Sequence, residues 1–264
     1  MCKLFDSSEK IAIGMCIPPP FPGSFKYNGE SIESVIQNAL EQASIYSELG
    51  YQGILIQNAN DNPSLKRAPI ETLAYMTAVS NSIHNEFPKM SLGVMMVWDG
   101  VSSLAAADAS GADFIRVEHT YIGAEMIPTG IAYGQCTEIT DLRTRIHSKV
   151  AVLADVYECH AVQICEKSLE RAAFEAFKQC NADGLFISGD TIVQSIDFAN
   201  RVRLSLPDAK LFLGNGSTGD NVYDILKHYD GVCVGTWIKD GKTTNPINKE
   251  KAKRYIAEVK RACK

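Results

Sequence analysis

The 264-residue sequence predicts a single α/β domain, a (β/α)8 TIM barrel that spans residues 1–264. Eight short apolar runs, each too short for a helix and bounded by turn-forming residues, are typical of strands buried on both faces. Segments with helical spacing of apolar residues separate these runs. Because each crossover helix returns the chain to the same edge of a sheet, this alternation requires parallel strands, and eight such units can close into a barrel. An open, doubly wound sheet is the alternative.

The predicted strands fall into two groups. Four are plain apolar runs, and the other four follow a recurrent pattern in which a glycine or an Asp-Gly pair leads from a helix into a strand. The plain runs are Ile11–Met15, Leu92–Val97, Val150–Ala154 and Leu211–Leu213, and the recurrent pattern covers 53–56, 111–117, 181–187 and 229–235.

The helices are predicted from apolar residues that recur every three or four positions. They cover 31–49, 70–86, 101–110, 134–146, 167–180, 193–205, 219–228 and 249–263. The longest connections, about 17–30, 58–69 and 119–133, all follow strands. Loops at the carboxyl ends of barrel strands carry function, so we expect the active end of the protein there.

Composition excludes several classes of partner. The formal net charge is −5 and the basic residues are scattered, so nucleic acid is not an expected partner. No apolar run approaches the ~20 residues of a membrane span, and no export signal is recognisable, so we expect a cytoplasmic protein. The eight cysteines include no C-x-x-C pair, which argues against a zinc cage. The apolar loop residues Trp237 and Ile238 leave room for a homo-oligomer.

Two glycine-containing segments follow the last two predicted strands. Gly214, Asn215, Gly216 and Ser217 follow the seventh strand, and Gly235 with Thr236 follows the eighth. Glycines let backbone N–H groups close around an anion, and barrels commonly bind phosphate at these two positions. We therefore predict a phosphate site here, the alternative being a pair of ordinary tight turns.

Charged residues lie on the inward face of the fourth strand and at its end. Because side chains alternate along a strand, Phe114, Arg116 and Glu118 share one face, while Ile115 and Val117 pack on the helices. This places Glu118 at the mouth of the barrel and Arg116 one layer below, where a buried guanidinium requires a charged partner. Arg116 is a candidate ligand-binding residue and Glu118 a candidate catalytic residue. A purely structural ion pair is the alternative.

The fifth strand ends in the strongest catalytic candidate, Asp155, which has His160 five residues further on as a possible acid or base. Asn58, after the second strand, is a candidate ligand-binding residue. Other polar residues also follow strands, namely Asp61, Asp99, His119, Ser188 and Asp190, and Asp61 and Asp99 fit turn or N-cap positions equally well. A divalent metal ion held by Glu118, Asp155, Asp190 and His160 is possible.

Six motifs in order resemble the BtpA family, which includes SgcQ-like proteins, over nearly the whole chain. They are Ile13-Gly14-Met15 followed by Pro18-x-Pro20-x-Pro22-Gly23-Ser24, Gly53-Ile54-Leu55-Ile56-Gln57-Asn58-x-x-Asp61, Ala112–Val117, Ala154-Asp155-Val156-x-x-x-His160, Gly214-x-Gly216 and Val234-Gly235-Thr236-x-x-Lys239-x-Gly241. The resemblance implies a TIM barrel related to phosphosugar enzymes through its phosphate-binding half. The sequence departs from the family pattern at the mouth, where Cys16, Glu118, Cys159 and Met96–Gly100 replace other residue types, so its substrate can differ.

Two functions are compatible with these features. The first is an enzyme that acts on a small phosphorylated sugar or nucleoside-like compound by isomerisation, aldol-type cleavage or hydrolysis. In it, Asp155 serves as base or metal ligand and Glu118 or His160 as partner acid. The second is a non-catalytic assembly factor, since the family takes its name from a role in photosystem I accumulation. A nucleotide hydrolase is a further alternative, although the P-loop pattern G-x-x-x-x-G-K-[ST] is absent.

Overall fold

The computed structural model describes residues 2–5, 9–119, 121–157, 160–164 and 167–263. Eight parallel strands close into a barrel in which every strand pairs with its neighbours in chain order and the last pairs with the first. The strands are β1 (Ile11–Cys16), β2 (Gly53–Gln57), β3 (Ser91–Met95), β4 (Phe114–Val117), β5 (Ala151–Tyr157), β6 (Gly184–Ile187), β7 (Leu211–Leu213) and β8 (Gly231–Val234). The predicted (β/α)8 barrel is thus confirmed, and the open sheet is excluded.

A helix follows each strand. The helices are α1 (Ile32–Leu49), α2 (Ile70–Glu86), α3 (Gly100–Ser110), α4 (Cys136–Arg145), α5 (Leu169–Phe174), α6 (Ile192–Ser205), α7 (Val222–Ile225) and α8 (Lys249–Ala262). Helix α5 continues into a π-helical turn, Glu175–Gln179. Helix α7 is shorter than predicted because the Asn221 side chain accepts a hydrogen bond from the Thr218 backbone and forms a turn in place of a first helical turn.

Strand alternation separates two apolar layers. Inward-facing side chains such as Ile13, Phe114, Phe186 and Phe212 fill the barrel, whereas their strand neighbours pack against the helices. Glycine 93 is required in this interior, because a Cβ at its position would lie 2.2 Å from the Phe114 ring. The packed interior closes the barrel below its mouth, and in this fold ligands commonly bind at the carboxyl ends of the strands.

The predicted long connection 119–133 contains structure that the sequence analysis missed. Strands Ala124–Ile127 and Gly130–Tyr133 form an antiparallel hairpin, and Val162–Gln163 from the loop after β5 pairs with the other side of Ala124–Ile127. We call these three strands the small sheet. The third strand is two residues long and lies far away in sequence, so no local pattern could predict the pairing. The small sheet joins the loops that follow β4 and β5.

Candidate functional site

A cavity of about 580 Å³ opens at the carboxyl ends of the barrel strands, and we call it the mouth cavity. Its lining combines most of the predicted site residues, which come from β4, the loop after β5 and the loops after β7 and β8. The predicted residues that line it are Arg116, Glu118, His160, Gly214, Asn215, Gly216, Ser217, Gly235 and Thr236. Two predicted residues, Asp155 and Asn58, are not part of this lining. The fold therefore brings residues spread over 121 positions of sequence into one cavity.

The charged centre of the mouth is a bidentate ion pair between Arg116 and Asp155. Arg116 donates from Nε to Oδ1 of Asp155 over 2.9 Å and from Nη2 to Oδ2 over 2.7 Å, and both side chains are buried. Burial lowers the pKa of Arg116, but the Asp155 carboxylate and, after it, Glu118 raise this pKa by more than burial lowers it. The net pKa therefore lies above the usual arginine value. The Arg116 guanidinium also lies 4.4 Å above the centroid of the Phe186 ring. Arg116 is therefore a fixed, permanent cation.

Glu118 lies one layer above this pair, as alternation along β4 predicts. Its Oε1 is 3.7 Å from Nη2 of Arg116, and its side chain is 16% exposed, against 2% for Asp155. A carboxylate that lines the cavity and is reachable from solvent can exchange protons with a bound ligand. The geometry therefore favours Glu118 for acid–base chemistry and Asp155 for holding Arg116 in position.

The glycines after β7 allow the loop to pass close to the guanidinium of Arg116 and to turn there. A Cβ at position 214 would lie 2.7 Å from Nη2 of Arg116, so only glycine lets the loop pass this close. Gly216 has φ +76°, a left-handed conformation that favours glycine. The Asn221 side chain donates to the Gly216 carbonyl and accepts from the Thr218 backbone, which braces the loop. The loop is thus held against a permanent cation.

Ser217 contributes to the loop in a different way from the one its sequence position suggests. Its hydroxyl donates to the Cys233 carbonyl over 3.3 Å and accepts from the Tyr255 hydroxyl over 2.8 Å. These bonds tie the loop to β8 and α8, and a ligand-binding role of Ser217 stays a prediction. Lys251 of α8 also lines the cavity, with its Nζ 2.7 Å from Asp240. Sequence reasoning missed Lys251 because it lies among other charged residues of an amphipathic helix.

The remaining polar candidates have structural bonding partners. Asn58 donates to Asp61 and accepts from the Val97 backbone, so it joins the loops after β2 and β3. Asp61 accepts from the Phe21 backbone and fixes the proline-containing loop after β1. Asp99 caps α3 by accepting from the Ser102 backbone, which is the N-cap alternative anticipated from sequence. The ligand-binding role of Asn58 stays a prediction.

The predicted metal ligands do not form a cluster within the described part of the chain, where no three His, Cys, Asp or Glu side chains come together in a manner suited to a metal ion. Asp190 is exposed and is not part of the cavity lining. Cys159, where a lysine was expected from the family pattern, lies outside the described residues. Ile238 is buried and Trp237 lines the mouth cavity, so the suggestion that these two residues form a dimer surface was wrong for Ile238.

The model of the BtpA family matches residues 8–261. The chain belongs to the BtpA family. This match confirms the resemblance inferred from the six motifs. None of the described helices is long and apolar enough to cross a bilayer.

Relatives within the BtpA family carry varied names. An uncharacterized protein of Thermococcus kodakarensis is 33% identical over 97% of both chains. The photosystem I biogenesis protein BtpA of Synechocystis is 28% identical over 86% of this chain and 79% of its own length. A protein of Escherichia coli named "Putative sgc region protein SgcQ" is 26% identical over 96% of this chain and 95% of its own length.

Solved structures of similar fold have much lower sequence identity. A structure titled native KDPGal matches with a TM-score of 0.61 and 14% identity over 96% of this chain and 94% of its own. N-(5'-phosphoribosyl)anthranilate isomerase from Pyrococcus furiosus matches with a TM-score of 0.55 and 16% identity over 96% of this chain and 100% of its own. At these identities the likeness shows the fold alone, which this chain shares with both proteins.

Proposed function

We propose that this protein is an enzyme that binds a small phosphorylated sugar or nucleoside-like substrate in the mouth cavity. The observation that carries the proposal is the meeting, in one cavity, of two glycine-containing loops with Arg116, Glu118 and His160. The loops after β7 and β8 would hold the phosphate through backbone N–H groups, and Lys251 at α8 would add positive charge. An isomerase, an aldolase and a lyase among proteins of the same fold support this class of activity.

The proposed chemistry assigns one role to each charged group. Glu118 takes a proton from a carbon or hydroxyl of the substrate, and His160, which also lines the cavity, returns a proton to it. Arg116 stabilises the negative charge that develops on the neighbouring oxygen, because its guanidinium is already oriented by Asp155 before the substrate binds. This division of labour suits an isomerase, an epimerase or an aldol-type lyase, and it also suits a hydrolase if a water replaces the second reactant.

The proposal includes the cellular compartment of the enzyme. We place it in the cytoplasm, where phosphorylated sugars are found as metabolic intermediates. The described cysteines Cys2, Cys16, Cys136, Cys180, Cys233 and Cys263 are free thiols, as a reducing compartment maintains.

The alternative function is a non-catalytic assembly factor, and one observation favours it. The outward face of the small sheet carries five exposed large apolar side chains, which are Met126, Ile131, Tyr133, Val162 and Ile164. Exposed apolar patches of this kind often mark protein contacts. The named role of the Synechocystis relative in photosystem I biogenesis is compatible with such a contact.

Calorimetric titration with a panel of phosphorylated sugars and nucleotides tests the proposal. We expect at least one compound to bind, and Gly216→Ala to weaken it tenfold or more by straining the loop. Gly29→Ala is the matched control, because Gly29 has a similar positive φ, has no neighbouring atom within 4 Å of a Cβ and does not line the cavity. Binding that is equally tight in both variants would rule out the glycine loop as the phosphate site.

Turnover of the compound that binds distinguishes the enzyme from the assembly factor. We expect Glu118→Gln to lower kcat by about 10²- to 10⁴-fold with little change in binding, because the variant keeps the shape of the side chain but cannot accept a proton. If every bound compound is recovered unchanged, or if Glu118→Gln turns over at the wild-type rate, the proposed catalytic role is excluded.

A further inference from the structure

A second cavity of about 580 Å³ lies beside the mouth cavity, and we call it the lysine cavity. The two share Ile17 and Thr243 as lining residues. The lysine cavity is lined mainly by the proline-containing loop after β1, by α1 and by the segment that precedes α8, and it opens to solvent. Much of its lining is amide and hydroxyl side chains, which are Asn38, Gln42, Asn60, Thr243, Thr244 and Asn245.

Lys239 is the buried cation of this cavity. The residue is only 2% exposed, and its Nζ donates to Oε1 of Gln42 over 2.8 Å and to the Thr243 carbonyl over 3.3 Å. Within the described residues, no carboxylate lies within the 4.0 Å ion-pair distance of this Nζ. A buried ammonium that has only neutral partners is unfavourable unless an anion joins it. Burial accordingly lowers the pKa of Lys239.

The Gln42 side chain, which accepts from Lys239, is held in place by further hydrogen bonds. Gln42 also accepts from the Ile17 backbone over 3.1 Å, and its Nε2 donates to the Ile17 carbonyl over 3.0 Å and to Asn38 over 2.8 Å. The Gln42 side chain therefore cannot turn away from Lys239 without breaking the link between α1 and the loop after β1. Two acceptors engage an ammonium that has three protons, so one N–H remains for a ligand in the cavity.

From this geometry we propose that the lysine cavity is a second anion site, in which Lys239 binds the carboxylate or phosphate group of a hydroxyl-bearing small molecule. The anion neutralises the buried ammonium and takes its third proton donor. The surrounding amide and hydroxyl groups bind the hydroxyl groups of the same molecule. The other cation of the lining is Lys249, and the carboxylate of Glu41 lies on the exposed side. This site is separate from the phosphate loops of the proposed function and does not depend on them.

Calorimetric titration with inorganic phosphate tests the proposal, and we expect two bound ions per chain. Thr244→Asp places a carboxylate in the lysine cavity at an exposed position, and we expect it to weaken one of the two sites at least tenfold. Thr129→Asp adds the same charge at an exposed turn that lines neither cavity, so it should retain both sites. Lys239→Met should lose the same site as Thr244→Asp if the variant folds.

Gly216→Ala separates this proposal from the proposed function. It should weaken phosphate binding at the loops after β7 and β8 at least tenfold and leave the site at Lys239 intact. The proposal is overturned if Gly216→Ala binds no phosphate, or if Thr244→Asp titrates like the wild type. A parallel titration of Gly216→Ala with gluconate distinguishes the two anions, because the tighter of gluconate and phosphate identifies the group that Lys239 prefers.

Discussion

At the scale of single residues, the Arg116–Asp155 pair is the buried ion pair at the centre of the mouth. Removing one partner of a buried ion pair leaves the other charge without compensation. We expect Arg116→Met to lower the free energy of unfolding by about 3–5 kcal/mol, because the Asp155 carboxylate stays buried. Combining Arg116→Met with Asp155→Leu should recover most of this loss. Urea unfolding of the wild type, Arg116→Met and the double variant measures these changes, and a loss below about 1 kcal/mol in Arg116→Met would contradict the buried pair.

The thiols supply a second prediction at this scale. Burial raises the pKa of Cys16 and of Cys233 to about 12, so at pH 8 both remain protonated. Alkylating reagents attack the thiolate, so we expect iodoacetamide to modify the exposed Cys263 of the native protein and to leave Cys16 and Cys233 intact. Mass spectrometry of the alkylated peptides measures this, with urea-denatured protein as the control in which all three react. Native labelling of Cys233 as fast as Cys263 would contradict the protonated state.

At the scale of elements, Asp99 links the start of α3 to the segment that precedes α2. Its carboxylate accepts from the Ser102 backbone at the start of α3, from the Ala68 backbone before α2 and from Arg67. We expect Asp99→Ala to cost about 2–3 kcal/mol of unfolding free energy, since the half-buried backbone donors of Ala68 and Ser102 lose their acceptor together. Ser31→Ala at the exposed cap of α1 is the control and should cost about 1 kcal/mol. Equal losses in guanidinium unfolding would show that Asp99 acts only as a helix cap.

The elements also show what the sequence can predict. Strand and helix positions follow from apolar spacing and from glycine stops such as Gly50, whose left-handed φ ends α1 as expected. The inward positions of Arg116 and Glu118 follow from alternation along β4. The partners of these side chains do not follow, because Arg116 and Asp155 are 39 positions apart and Gln42 and Lys239 are 197 positions apart. Local patterns carry no information about such pairs, and Lys239 was therefore recognised only as part of a family motif.

At the scale of the whole molecule, the barrel and the small sheet are distinct layers that touch over a few side chains. Ile127 and Ala132 of the hairpin pack on Val97 and Trp98 at the end of β3. Glu125 reaches Nδ1 of His119 over 3.1 Å. The two ends of the hairpin lie side by side, because the Gly134 N–H donates to the Gly123 carbonyl over 2.7 Å. The hairpin can therefore be removed without stretching the barrel.

Deleting residues 124–133 and joining Gly123 to Gly134 tests this layered organisation. We expect the shortened protein to unfold cooperatively, with a free energy of unfolding lowered by about 2–4 kcal/mol through the apolar area lost. Trp98 should become exposed, so its fluorescence should shift to longer wavelength; Trp237→Phe in both proteins removes the only other tryptophan signal. The full-length Trp237→Phe variant is the control. Loss of cooperative unfolding would mean that the barrel needs the hairpin to fold, because the ends of β3 and β4 would then depend on the contacts of Ile127 and Glu125 for their packing.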